Sequence, residues 1–424
     1  MIRPLLLAGL LLSAPALRAQ TLMDIPLAQW TPLPAASALR VSAETQAARD
    51  TLLGADATDP AFVKIWWVGV SSFIVSMGGH LLYLDAWEIV GLHADYLPIG
   101  REELALLGPE AILIGHGHFD HAGDAGYIAG RSGAAIVGSQ EICDLARKQA
   151  ARDSNELKFP CLVTGTASTP PPGTIQTVKL WADLPEVSIL QHIHSAATEE
   201  LDDPGTPFVP VEPASLLNYL LNLNTDPQEI QWFLESLDDP QGGTWAYHLR
   251  IGDFSLLQHN SAGPIRSENP GGPEVQQALD SFPGCVDVQL GAILGFNQPV
   301  NGLRDPRLYI EHAHAQIFLP THHDNWAPGV SAGAEGYREA LMAEISTLEH
   351  PPEVDFLVDP QDYLKPRIYR VDDPRWKQAM PGSSCAAQAN APTRSVPRAG
   401  GAPGPSLLLP LLGALLLRRR VGMR

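Results

Sequence analysis

The chain of 424 residues carries 47 acidic against 28 basic side chains, a formal net charge of −19. That balance argues against nucleic acid as a substrate, because binding its phosphates takes clustered cations. The hydrophobic content of 45 % is enough for the core of one large domain, which we place at 45–375.

Arg3, the apolar run Leu5 to Leu12 and the small residues up to Ala19 predict a signal peptide over 1–19. The protein is therefore expected to be exported, to the periplasm, the cell surface or the medium. Lys64 to Val75 is β-rich, Gly78-Gly79 signals a hairpin, and Leu81 to Leu84 returns as a strand ended by Asp85. Ala111 to Ile114 predicts a short buried strand, broken into a loop by Gly115 and Gly117. That loop carries His116, His118, Asp120 and His121 within six residues. Neutral imidazole and carboxylate are the ligands that borderline divalent metals prefer. His116 and His118, two apart, would face one metal, and Asp120 and His121 would reach a second where the chain turns.

Gln140 to Arg152 reads as a helix, with Cys143 as a buried thiol. No Cys-x-x-Cys occurs among Cys143, Cys161, Cys285 and Cys385, so a zinc ribbon is not expected, and spacing does not disclose any disulfide pairing. Val187 to Leu190 is a strand leading into His192-Ile-His194. Pro213 to Leu223 and Ile230 to Leu234 are apolar and read either as an insertion capping the metals or as core. A second hairpin spans Tyr247 to Leu257 and runs into His259-Asn260-Ser261. A last apolar strand, Ile317 to Pro320, precedes His322-His323-Asp324. Residues 380–405 form an Ala/Pro/Gly-rich linker. Residues 406–424 hold an apolar stretch, too short for an ordinary membrane span, and then Arg418 to Arg420.

The run His116-x-His118-x-Asp120-His121 resembles the signature of the metallo-β-lactamase superfamily letter for letter. Trp67-x-Gly69-x-Ser71-Ser72-Phe73 is most similar to the branch with ascorbate-phosphate lactonases and N-acyl phosphatidylethanolamine phospholipases D. The resemblance implies an α/β fold, an αββα sandwich with one or two metals at the sheet edges. It also implies a hydrolase whose metal-bound hydroxide attacks an ester, lactone, amide or phosphodiester. Carried over, the first metal is held by His116, His118 and His194, with His194 preferred to His192. The second, weaker site is Asp120, His121 and His322, with His323 the weaker choice, and His323 or Asp324 left to orient substrate. Asp120 is also the catalytic residue expected to orient water and accept its proton, and Asp85 braces the histidine loop.

The family's bridging Asp is missing: the chain reads His259-Asn260-Ser261-Ala262 there. Asn260 or Ser261 would have to stand in as neutral oxygen ligands. The implied cofactor is zinc, one or two ions, with manganese or iron as alternatives. The implied partner is a small-molecule substrate, apolar or lipid-like. The C-terminal tail resembles bacterial sorting tails and implies membrane or cell-surface attachment. The alternative reading is a catalytically impaired metal-binding or surface interaction protein on the same fold.

Overall fold

The computed structural model describes residues 24–88, 99–153, 158–196, 206–209, 217, 221, 227–282, 286–324 and 333–377. The expected signal segment, the linker, the tail, Cys285, Cys385 and most of Pro213 to Leu223 lie outside the described residues. The strands in chain order are β1 (Asp24–Pro26), β2 (Phe62–Trp67), β3 (Phe73–Met77), β4 (His80–Leu84), β5 (Ala111–Leu113), β6 (Ala135–Gly138), β7 (Cys161–Val163), β8 (Ile175–Val178), β9 (Val187–Gln191), β10 (Trp245–Ile251), β11 (Phe254–His259), β12 (Val288–Ala292), β13 (Ile317–Thr321), β14 (Glu353–Val354) and β15 (Arg367–Arg370). They build one sheet in the order β1-β7-β6-β5-β4-β3-β2-β15 and a second in the order β14-β13-β12-β11-β10-β9-β8.

Successive side chains of a strand point to opposite faces, and this explains the layering. Ile189, Trp245, Tyr247, Leu256 and Leu319 of the second sheet share one core with the first sheet. Their chain neighbours Leu190, Ala246 and Leu257 pack instead with helices Gly272–Asp280 and Arg304–Ala313. Phe318 packs with helix Gly333–Ile345. On the first sheet, helices Ala125–Ser132 and Gln140–Arg152 cover β6. The result is the αββα sandwich of the metallo-β-lactamase fold. Trp66 and Trp67 are fully buried within it, each contributing roughly 2–3 kcal/mol of apolar burial.

The β3–β4 hairpin turns through Gly78 and Gly79 at φ 62° and 89°, the left-handed pair that a tight hairpin of this twist requires. The chain enters the fold earlier than the expected residue 45. β1 pairs in parallel with β7, and Leu33 bridges to Trp181. A three-residue edge strand has too little apolar pattern to be read beforehand. Cys143 is buried as expected but is not a thiol: it is bonded to Cys161 of β7. Their Cα atoms lie 5.9 Å apart, within ordinary disulfide reach.

Each sheet contains a parallel run: β4-β5-β6-β7 and β11-β12-β13-β14. Loops at their C-terminal ends meet at one edge of the sandwich. There sit Asp85 after β4, the histidine run after β5, Asn260 after β11 and His322 after β13.

Candidate metal centre

After β5 the chain has room for a glycine only. A Cβ on Gly115 would lie 2.2 Å from Asn260 Nδ2. His118 then opens a single helical turn, Phe119–Ala122, which puts Asp120 and His121 side by side. His194 arrives from the loop after β9, and His322 from the end of β13 with φ 65°.

These side chains gather into two triads. In the first, His116 Nε2 lies 3.1 Å from His118 Nδ1 and 3.2 Å from His194 Nε2. In the second, His322 Nε2 lies 3.0 Å from Asp120 Oδ2 and 3.1 Å from His121 Nε2. The outer ring nitrogens show which atoms are bare. Asn260 donates from Nδ2 to both oxygens of Asp85, at 3.0 and 2.8 Å, so its Oδ1 faces His116 Nδ1 at 3.0 Å and accepts the proton there. His194 Nδ1 donates to Ser195 O at 2.7 Å. His121 Nδ1 donates to Asp85 Oδ2 at 3.0 Å, beside Ser71 Oγ at 2.7 Å. His116 and His194 therefore aim two bare Nε2 lone pairs at each other. That approach is repulsive unless a cation lies between them. A tetrahedron built on metal–nitrogen bonds of about 2.0–2.1 Å has edges of about 3.3 Å, close to the separations found. The donor set fits a divalent metal centre.

The electrostatics of the two triads differ. Burial, with the rings of His121 and His194, holds His116 well below the usual imidazole range. Burial and His118 bring His194 down to about 3, and burial outweighs Asp120 at His118, which is also lowered. The first triad is thus three neutral imidazoles at neutral pH. Burial opposes charge on His121 as well, but Asp120 and Asp85 override it and raise that pKa to about 9. Burial likewise opposes the Asp120 carboxylate, and His121 and His322 override it, leaving Asp120 well below the carboxylate range. A field that holds a proton on His121 also favours a metal cation.

Asp85 sits as expected behind the loop. Beyond His121 and Asn260 it accepts from Gly115 N–H at 2.8 Å and Ser71 Oγ–H at 2.7 Å. The proposed stand-ins at the bridging position are otherwise engaged. Asn260 is held by Asp85 and His116, and Ser261 Oγ accepts from Ser195 N–H at 2.9 Å. Each turns towards protein groups because those groups are within hydrogen-bond reach, so neither completes a ligand set. His192 is not a surface residue. It is buried behind the site with Nδ1 3.1 Å from Tyr309 Oη, which also donates to Ile193 O.

His323 and Asp324 do not face substrate. His323 stacks on Trp67 at 5.5 Å and donates to Leu357 O, while Asp324 accepts from Val70 N–H and Tyr363 Oη–H. The chain leaves β13 through the left-handed His322, and His323 after it is buried in the core. Sequence reasoning did not single out Tyr309 or Phe296. Ser71 was visible inside a motif, whereas Tyr309 is marked only by its tertiary contacts.

Both triads form the floor of a cavity of about 440 Å³. Phe119, Val209, Leu237, Leu294, Phe296 and Pro299 make its apolar wall. Leu237 follows helix Pro227–Ser236, whose Phe233 packs edge-on against Phe119 at 5.1 Å. Within the Ile230 to Leu234 stretch Phe233 backs the cavity-lining Phe119, while Leu234 is exposed and none of the five belongs to the buried core.

Residues 78–198 match the model of the metallo-beta-lactamase superfamily. A UPF0173 metal-dependent hydrolase of Pyrobaculum neutrophilum is 40 % identical over 80 residues, 19 % of this chain and 34 % of that protein. Another, from Aeropyrum pernix, is 32 % identical over 96 residues, 22 % of this chain and 37 % of that protein. The chain thus spans about a third of the length of these curated relatives. Among solved structures, a metallo hydrolase of Ignicoccus hospitalis is similar at 14 % identity and a TM-score of 0.44, over 73 % of this chain and 98 % of that one. Segment 78–198, which carries the histidine run, is thus similar to the metallo-beta-lactamase superfamily.

Proposed function

We propose that the protein is an exported metal-dependent hydrolase acting on an ester, lactone or phosphodiester. One observation carries this reading: two triads of ligand atoms, each with spacing suited to a cation, open side by side into one substrate-sized cavity. We assign His116, His118 and His194 to one metal and Asp120, His121 and His322 to the other. Zinc is the first choice for so imidazole-rich a set, with manganese or iron as alternatives. A bound divalent cation would lower the pKa of water towards about 7 and polarise the substrate oxygen.

The chain's own groups do the rest. Asp120, kept ionised by its histidine neighbours, orients the attacking water and takes its proton. Asp85 fixes the tautomer of His121 and, through Asn260, that of His116. The apolar wall displaces bulk water from the floor of the cavity. The names of the relatives support hydrolysis. The Trp67-to-Phe73 motif supports the narrower kinship with ascorbate-phosphate lactonases, with Ser71 reaching both Asp85 and His121. The Cys143–Cys161 disulfide supports export, because such bonds persist outside the reducing cytosol. The signal at 1–19 and attachment through 406–424 belong to the same proposal.

The test is metal analysis of the purified protein with a screen of generic esters, lactones and bis-p-nitrophenyl phosphate. Expected are at least one tightly held transition metal per chain, turnover of one class, and loss of that turnover in His118→Ala. Folded protein without metal would sink the reading. Metal without any turnover would favour the alternative, a metal-binding protein on the same fold, for which the missing bridging carboxylate speaks.

A further inference from the structure

The cavity above the metal floor is unlike an anion site. Among the described residues that line it there is no Lys or Arg. The chain carries no Lys or Arg between Lys179 and Arg250, a stretch that contains His194 and helix Pro227–Ser236. Recognition of phosphate or carboxylate characteristically uses the guanidinium fork or an ammonium group. The polar groups on the wall are largely turned inward. Ser261 Oγ accepts from Ser195 N–H, Ser195 Oγ from Phe296 N–H at 3.4 Å, and Gln298 Oε1 from Tyr337 Oη–H at 3.1 Å.

The apolar side is the opposite. Val209, Leu237 and Phe296 are 48 %, 53 % and 67 % exposed, yet all three border the cavity. Phe296 tilts over the His194 ring at 6.1 Å between centroids, so it stands next to the metal floor rather than on remote surface. Large apolar side chains left open beside a reactive centre gain when an apolar chain covers them. Phe119, also on the wall, packs against Phe233 and Trp87.

We propose that the substrate is an uncharged acyl ester or lactone whose hydrocarbon chain lies against Leu237 and Phe296, with its carbonyl over the metal floor. Both residues then set chain-length preference. This assignment rests on the hydrolase reading above and narrows it by removing the phosphodiester.

The test uses the full metal-loaded chain with p-nitrophenyl esters from acetate to octanoate, a matching series of alkyl-substituted lactones, and bis-p-nitrophenyl phosphate as the anionic arm. kcat/KM rises about fourfold for each methylene buried. Leu237→Ser and Phe296→Ser, both at exposed positions, each cut the octanoate-to-acetate ratio of kcat/KM by about tenfold, with metal content unchanged. Calorimetric binding of the uncharged amides from butanamide to decanamide reads the same preference without turnover, and affinity climbs with length. Esters preferred over lactones, or the reverse, identifies which acyl class supplies the chain. A phosphodiester preferred to every ester and lactone, or kcat/KM level with chain length, overturns the assignment while leaving the hydrolase reading intact. If no substrate turns over, the hydrolase reading fails, and amide affinity independent of length overturns the chain assignment separately.

Discussion

The two triads use similar atoms to opposite electrostatic ends. His116, His118 and His194 are kept neutral by burial, so their lone pairs stand free with no proton to displace. Asp120 and His121 form an ionised pair backed by Asp85. The absent bridging carboxylate was expected to weaken this second triad. Beside that position Asn260 is hydrogen-bonded to His116 and Asp85. The difference lies in the charges at hand: Asp120 and Asp85 stand beside His121, while the ligand atoms of the first triad are three imidazole nitrogens.

That contrast can be broken by experiment. Asp120→Asn keeps the shape but removes the charge, and turnover should fall about 10²- to 10⁴-fold. Steady-state rates within tenfold of the parent would show that Asp120 neither orients water nor takes its proton. Asp85→Asn should weaken metal affinity by about 10- to 100-fold, measured by competition with a chelator of known affinity. An unchanged affinity would remove Asp85 from the support of both triads.

Asn260→Asp sharpens the comparison, since it sets a second carboxylate against Asp85 at hydrogen-bond distance. Metal-free protein should lose about 2 kcal/mol in urea unfolding, and added divalent cation should restore the loss. A variant as stable as the parent without metal would mean that the Asn260–Asp85 contact carries no weight.

The gentlest test is the pH dependence of stability in chelator-treated protein. His121 has a folded pKa near 9, above the unfolded value of about 6.5. Its contribution is complete below about 6.5 and is lost as pH rises towards 9. His194, at about 3 when folded, behaves in reverse: the unfolded chain takes up the proton first, so stability is lost as pH falls from about 6.5 towards 3. The first triad therefore adds to the acid limb, together with the buried His192 and His259, and His121 of the second adds to the alkaline side, together with the raised carboxyls of Glu88, Asp287 and Asp324. In Asp120→Asn the alkaline limb should flatten while the acid limb stays. Urea midpoints across pH 4–9 read both, and an alkaline limb unaltered by the substitution would deny the difference between the triads.

The parts that were legible share one property: they are local. His116 to His121 falls within one loop and turn, so ligand type and spacing could be read directly. The hairpin at Gly78-Gly79 and the helix Gln140–Arg152 also lie where their patterns place them. His194 and His322 were reached only through family resemblance, because they meet the loop across 78 and roughly 200 residues of chain. The edge strand β1, the Cys143–Cys161 bond and the inward turn of His323 were not legible. Each depends on which face of a neighbouring element lies opposite, and no local pattern encodes that.

By itself, then, the amino-acid sequence determined the chemistry on offer: three imidazoles and a carboxylate in one run, strands of both sheets, and a net acidic chain. Only the tertiary structure decided how that chemistry is divided. Packing one sheet on the other brings Asp85 and Asn260 behind the histidines, fixing which ring nitrogens are bare. It also sets Leu237 and Phe296 over the same floor. Tautomer, field and wall are properties of neighbours in space, and they arise only when β4, β5, β11 and β13 end at a common edge.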